Sequence, residues 1–174
     1  MPINSISIDG GGGILGQAGP DLFRSGGSRL PAHGVMQFDS ADVASMFNNG
    51  IWTGVILHEM GHILGIGTKW NGLLNGQGDY IGTHALDEYR ALTGNPNAAS
   101  IPVEHNGGSG TAGAHWDEDT FNKELMTGWV DYGSMPISRT GGAAEPTRVY
   151  RPLAFGDLAE KGRCGAHEPV RATY

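Results

Sequence analysis

The spacing of apolar positions changes along the chain, and the predicted elements change with it. Near the N-terminus Ile6 and Ile8 alternate with polar neighbours, which predicts a short strand ended by the glycines at 10–13. Residues 35–38 predict a second strand, bounded by Gly34 and the turn-prone pair Asp39-Ser40. Asp39 or Ser40 is placed to cap a short helix through Phe47, which Asn48-Asn49-Gly50 stops. After residue 50 the spacing becomes helical. Ile51, Val55, Ile56, Ile63 and Leu64 recur on one side of a helix over 51–64, and Gly65 ends it. A further helix is expected over 83–92, with Leu86, Tyr89 and Leu92 three apart, closed by Gly94-Asn95-Pro96. The stretches 70–82 and 103–114 read as loops, the first marked by Asn71-Gly72 and Asn75-Gly76.

From Arg139 onward this pattern decays. Gly141-Gly142 and Pro146 interrupt any helical period, and only Leu153, Phe155 and Leu158 are spaced for a short packed turn. Six of the 11 basic residues also lie there, so the charge character shifts at the same place. The chain therefore divides into a domain at 1–138 and an atypical tail at 139–174, expected to be partly disordered.

Composition excludes several function classes. A chain of 174 residues, 39% hydrophobic, suffices for one domain with an ordinary core, and no apolar run approaches a membrane span. The net charge of −7 with no basic block argues against nucleic acid or an anionic membrane as partner. Thirty glycines predict much turn and loop. The single cysteine, Cys164, makes neither an internal disulfide nor a Cys-rich zinc site. Met1-Pro2-Ile3-Asn4-Ser5 lacks the basic and apolar regions of a signal peptide. Gly11, Gly13 and Gly16 match the spacing of a dinucleotide loop, but Gly19-Pro20 follows where a helix would have to open, so a plain glycine loop is the better reading.

The candidate chemistry lies on the central helix. His58 and His62 are four apart and so stack on one face, where two imidazoles can share a zinc ion at about 2.0–2.1 Å each. Glu59 is one position round the helix, beside the metal's open position without being a ligand, as a metal-assisted hydrolase requires. Zinc needs a third protein ligand, and spacing alone leaves His33, His84, His105, His115 and His167 open. Asp117, Glu118 and Asp119 form an acidic cluster that is either a calcium site or, the preferred reading, the start of a helix.

The run His58-Glu59-Met60-Gly61-His62-Ile63-Leu64-Gly65 resembles the metzincin motif of zinc metallopeptidases. Most metzincins place the third ligand three residues after that glycine, where this chain has Thr68, a poor ligand. The chain is similar instead to the leishmanolysin branch, in which a long insertion precedes the third histidine. Ala114-His115-Trp116 resembles the region of that ligand, and Glu124-Leu125-Met126-Thr127-Gly128 resembles the Met-turn beneath the metal. The resemblance spans roughly residues 34–138.

What the resemblance implies is an α+β zincin-like catalytic domain with an active-site helix, a small sheet, a long loop insertion and a Met-turn. Its cofactor would be Zn2+, held by His58, His62 and His115. Glu59 would be the general base and proton shuttle, Gly65 the turn under the metal and Met126 its floor. The substrate would be a peptide or protein, and residues 35–38 are either the sheet edge that holds it or, equally well, an ordinary sheet strand. The location would be extracellular. Only 57 residues precede His58, fewer than the family's usual strands and helix occupy, so a shortened N-terminal part is expected. Arg163-Cys164-Gly165 is similar to the zinc-blocking thiol segment of some metzincin propeptides, but those precede the catalytic domain and this one follows it, so chance is the better reading. The alternatives to an active endopeptidase are a catalytically inactive zinc-containing binding or structural domain, and a zinc hydrolase of other substrates.

Overall fold

The computed structural model describes residues 1–27 and 29–144. Among them run β1 (Ile3–Ile6), β2 (Gly16–Phe23), β3 (Pro31–Asp39), α1 (Val43–Asn48), α2 (Trp52–Leu64), α3 (Thr83–Thr93), α4 (Glu118–Phe121) and α5 (Arg139–Ala143). The class is mixed α+β, with one small sheet, as expected.

The sheet order is β1-β3-β2, with β3 parallel to β1 and antiparallel to β2. Residues 35–38 thus lie in the central strand. The expectation that they form a substrate-holding edge fails, because strands pair with both of their sides. Strand β2 was not foreseen, because glycine and proline at positions 19 and 20 disfavour the interior of a strand. As an edge strand β2 hydrogen-bonds to the sheet on one side only, so it tolerates a proline, and its register slips just after Pro20.

Strand β1 ends at Ile6, and Ile8 lies beyond it for a local reason. The N–H groups of Ile8, Asp9 and Gly10 donate to Asp39 Oδ2 at 3.0, 2.7 and 2.9 Å, and that of Ala41 donates to Oδ1 at 2.9 Å. Gly12 N–H donates to Asp42 Oδ1 at 2.8 Å. The glycine loop therefore wraps carboxylates of the protein itself. Asp39, expected as a helix cap, closes this loop instead, and α1 begins at Val43 with no side-chain cap bond. The donors, Ala41 and Gly10 foremost, hold its carboxyl down to about 2 against the opposing effect of desolvation.

Helix α2 buries Val55, His58, Glu59, Gly61, His62 and Ile63. Leu64, expected on the apolar face, is 52% exposed. Nine residues beyond Val55, it comes half a turn round, on the outer row with Leu57 and Met60. On one side of the helix Val55 and Ile63 pack with Leu15, Met36, Phe38 and Met46 under the sheet. A second cluster, built on Trp70, Tyr80, Ile101, Trp116 and Met126, covers the opposite side. Helix α3 presents Ala85 and Leu86 to this second cluster, while Leu92 is exposed.

The loops after α2 are pinned rather than free. Tyr80 bridges both Leu74 and Ile101, and Trp116 bridges both Val103 and Thr127. Beyond residue 138, α5 packs on α3, and Tyr80 Oη donates to the buried Ala144 carbonyl at 3.2 Å. The first residues of the segment assigned to the tail are thus part of the core. Leu153, Phe155, Leu158, Cys164 and His167 lie outside the described residues. Among the described residues no helix is long and apolar enough to cross a membrane.

Candidate metal centre

Three buried histidines meet between the two core clusters. His58 Nδ1 is 2.7 Å from the Leu125 carbonyl, His62 Nδ1 is 2.9 Å from that of Ile66, and His115 Nδ1 is 2.9 Å from that of Thr111. A carbonyl only accepts, so each Nδ1 carries the ring proton and each Nε2 keeps its lone pair. His115 Nε2 lies 3.0 Å from both His58 Nε2 and His62 Nε2. Burial, then the neighbouring rings, push His58 well below the usual histidine range; burial also lowers His62 and takes His115 down to about 3. Three neutral imidazoles thus aim lone pairs at one region, which is electrostatically unfavourable without positive charge there. Two nitrogens of a tetrahedral ion at 2.0–2.1 Å each lie about 3.3 Å apart. The two distances from His115 match that spacing to within a few tenths of an ångström, and all three donor atoms lie within 4.8 Å of one another, close enough to hold a single ion.

Each ring is aimed by backbone that the local sequence shapes. Gly65 takes φ 116°, a left-handed value that a side chain strains, and its N–H closes the helix on the carbonyls of Gly61 and His62. The chain turns back at once, which brings the Ile66 carbonyl onto His62. Thr68, in the position where most metzincins carry a ligand, donates its hydroxyl to the His62 carbonyl at 2.6 Å and so finishes the helix end.

His115 arrives from a segment held on both sides. Its carbonyl accepts from Glu104 N–H at 2.9 Å, and the next N–H, of Trp116, donates to the Met126 carbonyl at 3.0 Å. Trp116 is fully buried, with ring centroids 4.5 Å from Trp70 and 5.5 Å from Tyr80. Gly67, at φ 74°, allows the turn after α2 to touch the Ala114 carbonyl, an approach that any side chain would block. The turn at residues 124–128 serves two rings at once. Leu125 offers its carbonyl to His58, while Met126 fills the space beneath Gly61 so fully that a methyl there would overlap its sulfur. Glu124 holds the turn by accepting from Met126 N–H, and from Ser138 N–H at 2.9 Å.

Glu59 is fully buried, and neither of its oxygens has a hydrogen-bond partner among the described residues. Desolvation raises its carboxyl to about 8. A buried carboxylate without donors is costly, and a cation beside it reverses that cost. Gly16, the first residue of β2, lies against it: a methyl there would sit 2.7 Å from Glu59 Oε1.

The other histidines among the described residues are elsewhere. His33 pairs with Asp21 at 2.7 Å on the sheet, His84 is exposed on α3, and His105 lies 3.5 Å from Asp79. Asp117 caps α4 by accepting from Thr120 N–H at 2.9 Å, in line with the helix-start reading of the acidic cluster. Among the described residues the three histidines are the one group of His, Cys, Asp or Glu found close enough to hold a metal. Gly67 and the three carbonyls escaped the sequence reading, and Gly16, which opens β2 against Glu59, entered it only as part of a glycine loop. Gly67 was visible only as a member of a glycine-rich chain, and a carbonyl carries no residue identity. No family model matches the chain, and no curated protein matches it.

Proposed function

We propose that the chain is a zinc-dependent endopeptidase of the metzincin kind, in the layout of the leishmanolysin branch. The observation that carries this reading is the convergence of three Nε2 lone pairs, from a helix and a distant loop, beside a buried carboxylate that has no hydrogen-bond partner among the described residues. Zinc suits three neutral imidazoles, and when bound it supplies Lewis acidity and lowers the pKa of water toward about 7.

The chain's own residues do the rest. The carbonyls of Leu125, Ile66 and Thr111 fix the tautomer of each ring and raise the basicity of its Nε2. Their neutrality near pH 7 keeps the ligand set ready without displacing protons. Glu59 takes the proton of the attacking water on a carboxylate oxygen and passes it to the departing amine nitrogen. Its dry surroundings strengthen that exchange. Strand β2, the edge strand that starts at Gly16 against Glu59, is the strand suited to receiving an extended peptide.

The test combines metal analysis with digestion of an unfolded protein substrate, with and without a chelator. Wild-type chain is expected to hold one zinc and to lose hydrolysis on chelation. Glu59→Gln should keep the metal and lose hydrolysis by about a hundred- to ten-thousandfold. Zinc without hydrolysis in the wild type would leave only a binding or structural role, and absence of metal uptake would end the reading.

A further inference from the structure

Glu124 is a buried carboxylate that the proposed chemistry leaves unused. Among the described residues its side chain meets only donors: Met126 N–H on Oε2, and Ser138 N–H at 2.9 Å and Ser138 O–H at 3.0 Å on Oε1. Ser138 Oγ itself accepts from Gly141 N–H at 2.9 Å, which turns its own proton toward Glu124. Burial pushes the carboxyl upward, and the donors on Ser138 and Met126 hold it down. Three donors suit a charged carboxylate. Met126 N–H and the Leu125 carbonyl belong to one peptide unit, which is planar and trans, so the two groups point in opposite directions. The N–H points to Glu124, and the carbonyl accepts from His58 Nδ1 at 2.7 Å. One peptide thus joins a buried negative charge to one ring of the metal centre. The peptide that serves His115 is backed differently: beyond the Thr111 carbonyl, its N–H, that of Ala112, donates to the neutral Gly108 carbonyl at 3.0 Å.

We propose that Glu124 is a positioning residue whose charge acts on His58 through the Leu125–Met126 peptide. A carboxylate on the N–H polarises the peptide and makes its carbonyl a stronger acceptor, because hydrogen bonds in a chain strengthen one another. The bond from His58 Nδ1–H tightens in consequence. That fixes the ring and makes its Nε2 more basic, as a carboxylate does when it touches a ligand histidine directly. His115, backed by a neutral carbonyl, receives no such charge. The inference rests on the reading of the three histidines as metal ligands, and its test begins in the metal-free chain so that the two fail separately.

The test follows the imidazole N–H resonances of the whole chain, isotope-labelled and without metal, and then measures zinc affinity by competition with a chelator. Glu124→Gln nearly keeps the side chain's shape, removes its charge and sets an amide N–H2 against one of the donors. It is expected to move the His58 Nδ1–H signal upfield, to leave that of His115 in place, and to raise the zinc Kd by about tenfold to a hundredfold. Ser138→Ala loosens the same turn but keeps the charge, so it should move the His58 signal far less. If Glu124→Gln does not fold, the wild type still decides: a coupling across the hydrogen bond should join the Met126 nitrogen to the Glu124 carboxyl carbon. Its absence, where the coupling from Ala112 nitrogen to the Gly108 carbonyl carbon is seen, would overturn the proposal. So would an unmoved His58 signal in Glu124→Gln, equal movement of the His58 and His115 signals, an equal effect of Ser138→Ala, or an unchanged zinc Kd. A moved His58 signal in a chain whose wild type binds no zinc would end the metal reading and leave the link from Glu124 to His58 standing.

Discussion

Replacing Gly16 with alanine adds one methyl group to a strand and leaves every histidine untouched. The new carbon would lie 2.7 Å from Glu59 Oε1 and 3.1 Å from Phe38 Cδ1, whereas ordinary contact begins at 3.4 Å. The carboxylate must therefore retreat by 3.4 − 2.7 = 0.7 Å, or the strand must lift by a similar amount. Two energies oppose each other. Alanine in a strand recovers about 0.5–1 kcal/mol of backbone entropy, and overpacking costs about 1–3 kcal/mol. The net loss is of order 1 kcal/mol, a fall in Tm of about 2–4 °C for a chain of this size.

The catalytic effect should be larger. Misplacing a reacting group by about 1 Å costs roughly a hundredfold in rate, so a shift of 0.7 Å predicts a fall in kcat/KM between about tenfold and a hundredfold. Zinc content should remain that of the wild type. Gly19→Ala on the same strand meets nothing within 4 Å and serves as the control, with activity unchanged. The assay is peptide hydrolysis per mole of bound zinc, read beside a melting curve. Full activity in Gly16→Ala would refute the placement of Glu59 as the proton carrier. A loss of metal in proportion to activity would show that the variant disturbs the fold rather than the carboxylate.

Other predictions follow from the same geometry. Free zinc at a thousand times its Kd should stabilise the protein by about 4 kcal/mol, or roughly 8–16 °C in Tm, and His115→Ala should abolish the shift in a thermal melt. Gly67→Ala combines a strained φ of 74° with a clash on the Ala114 carbonyl, so it should lower zinc affinity as well as stability, the latter by at least about 1–3 kcal/mol; isothermal titration and urea unfolding would detect both. Asp39 is held at about 2, below the carboxylate's ordinary 3.8, so its contribution is complete above about pH 4 and is lost as pH falls toward 2. Asp39→Asn should therefore lower the urea midpoint at neutral pH and flatten its decline between pH 4 and 2; a wild-type slope in the variant would assign acid unfolding to other groups.

How far the fold could be read from sequence depended on whether a residue's role is local. The helix over α2 and its end at Gly65 were legible, because periodicity and a left-handed glycine are properties of a short window. Strand β2 was not legible, since what licenses Pro20 there is the edge position, which only the three-stranded order creates. Asp39 was misread for a similar reason. A turn-prone acid before a helix looks like a cap, but its acceptors are taken by the glycine loop some 30 residues earlier in the chain. The tail boundary at 139 was drawn where periodicity fades, yet Thr140 and Ala144 are buried by helix α3 and Tyr80, partners that no local window contains.

The site divides along the same line, and the division bears on its rigidity. His58, Glu59 and His62 were visible because one helical turn aligns them, while His115 entered by resemblance and not by spacing. The structure supplies what spacing lacked: Trp116, the residue next to His115, is locked among Trp70, Tyr80 and two backbone bridges. The third ring is thus positioned by a core aromatic as well as by the Thr111 carbonyl of its own loop. Trp116→Ala should then remove about 3–5 kcal/mol of packing and free the segment that aims His115, so zinc affinity should fall far more than in a cavity variant equally destabilised but remote, such as Met36→Ala under the sheet. Equal losses of affinity in the two variants would mean that hydrogen bonds of its own segment, such as that to the Thr111 carbonyl, suffice to aim His115 without Trp116.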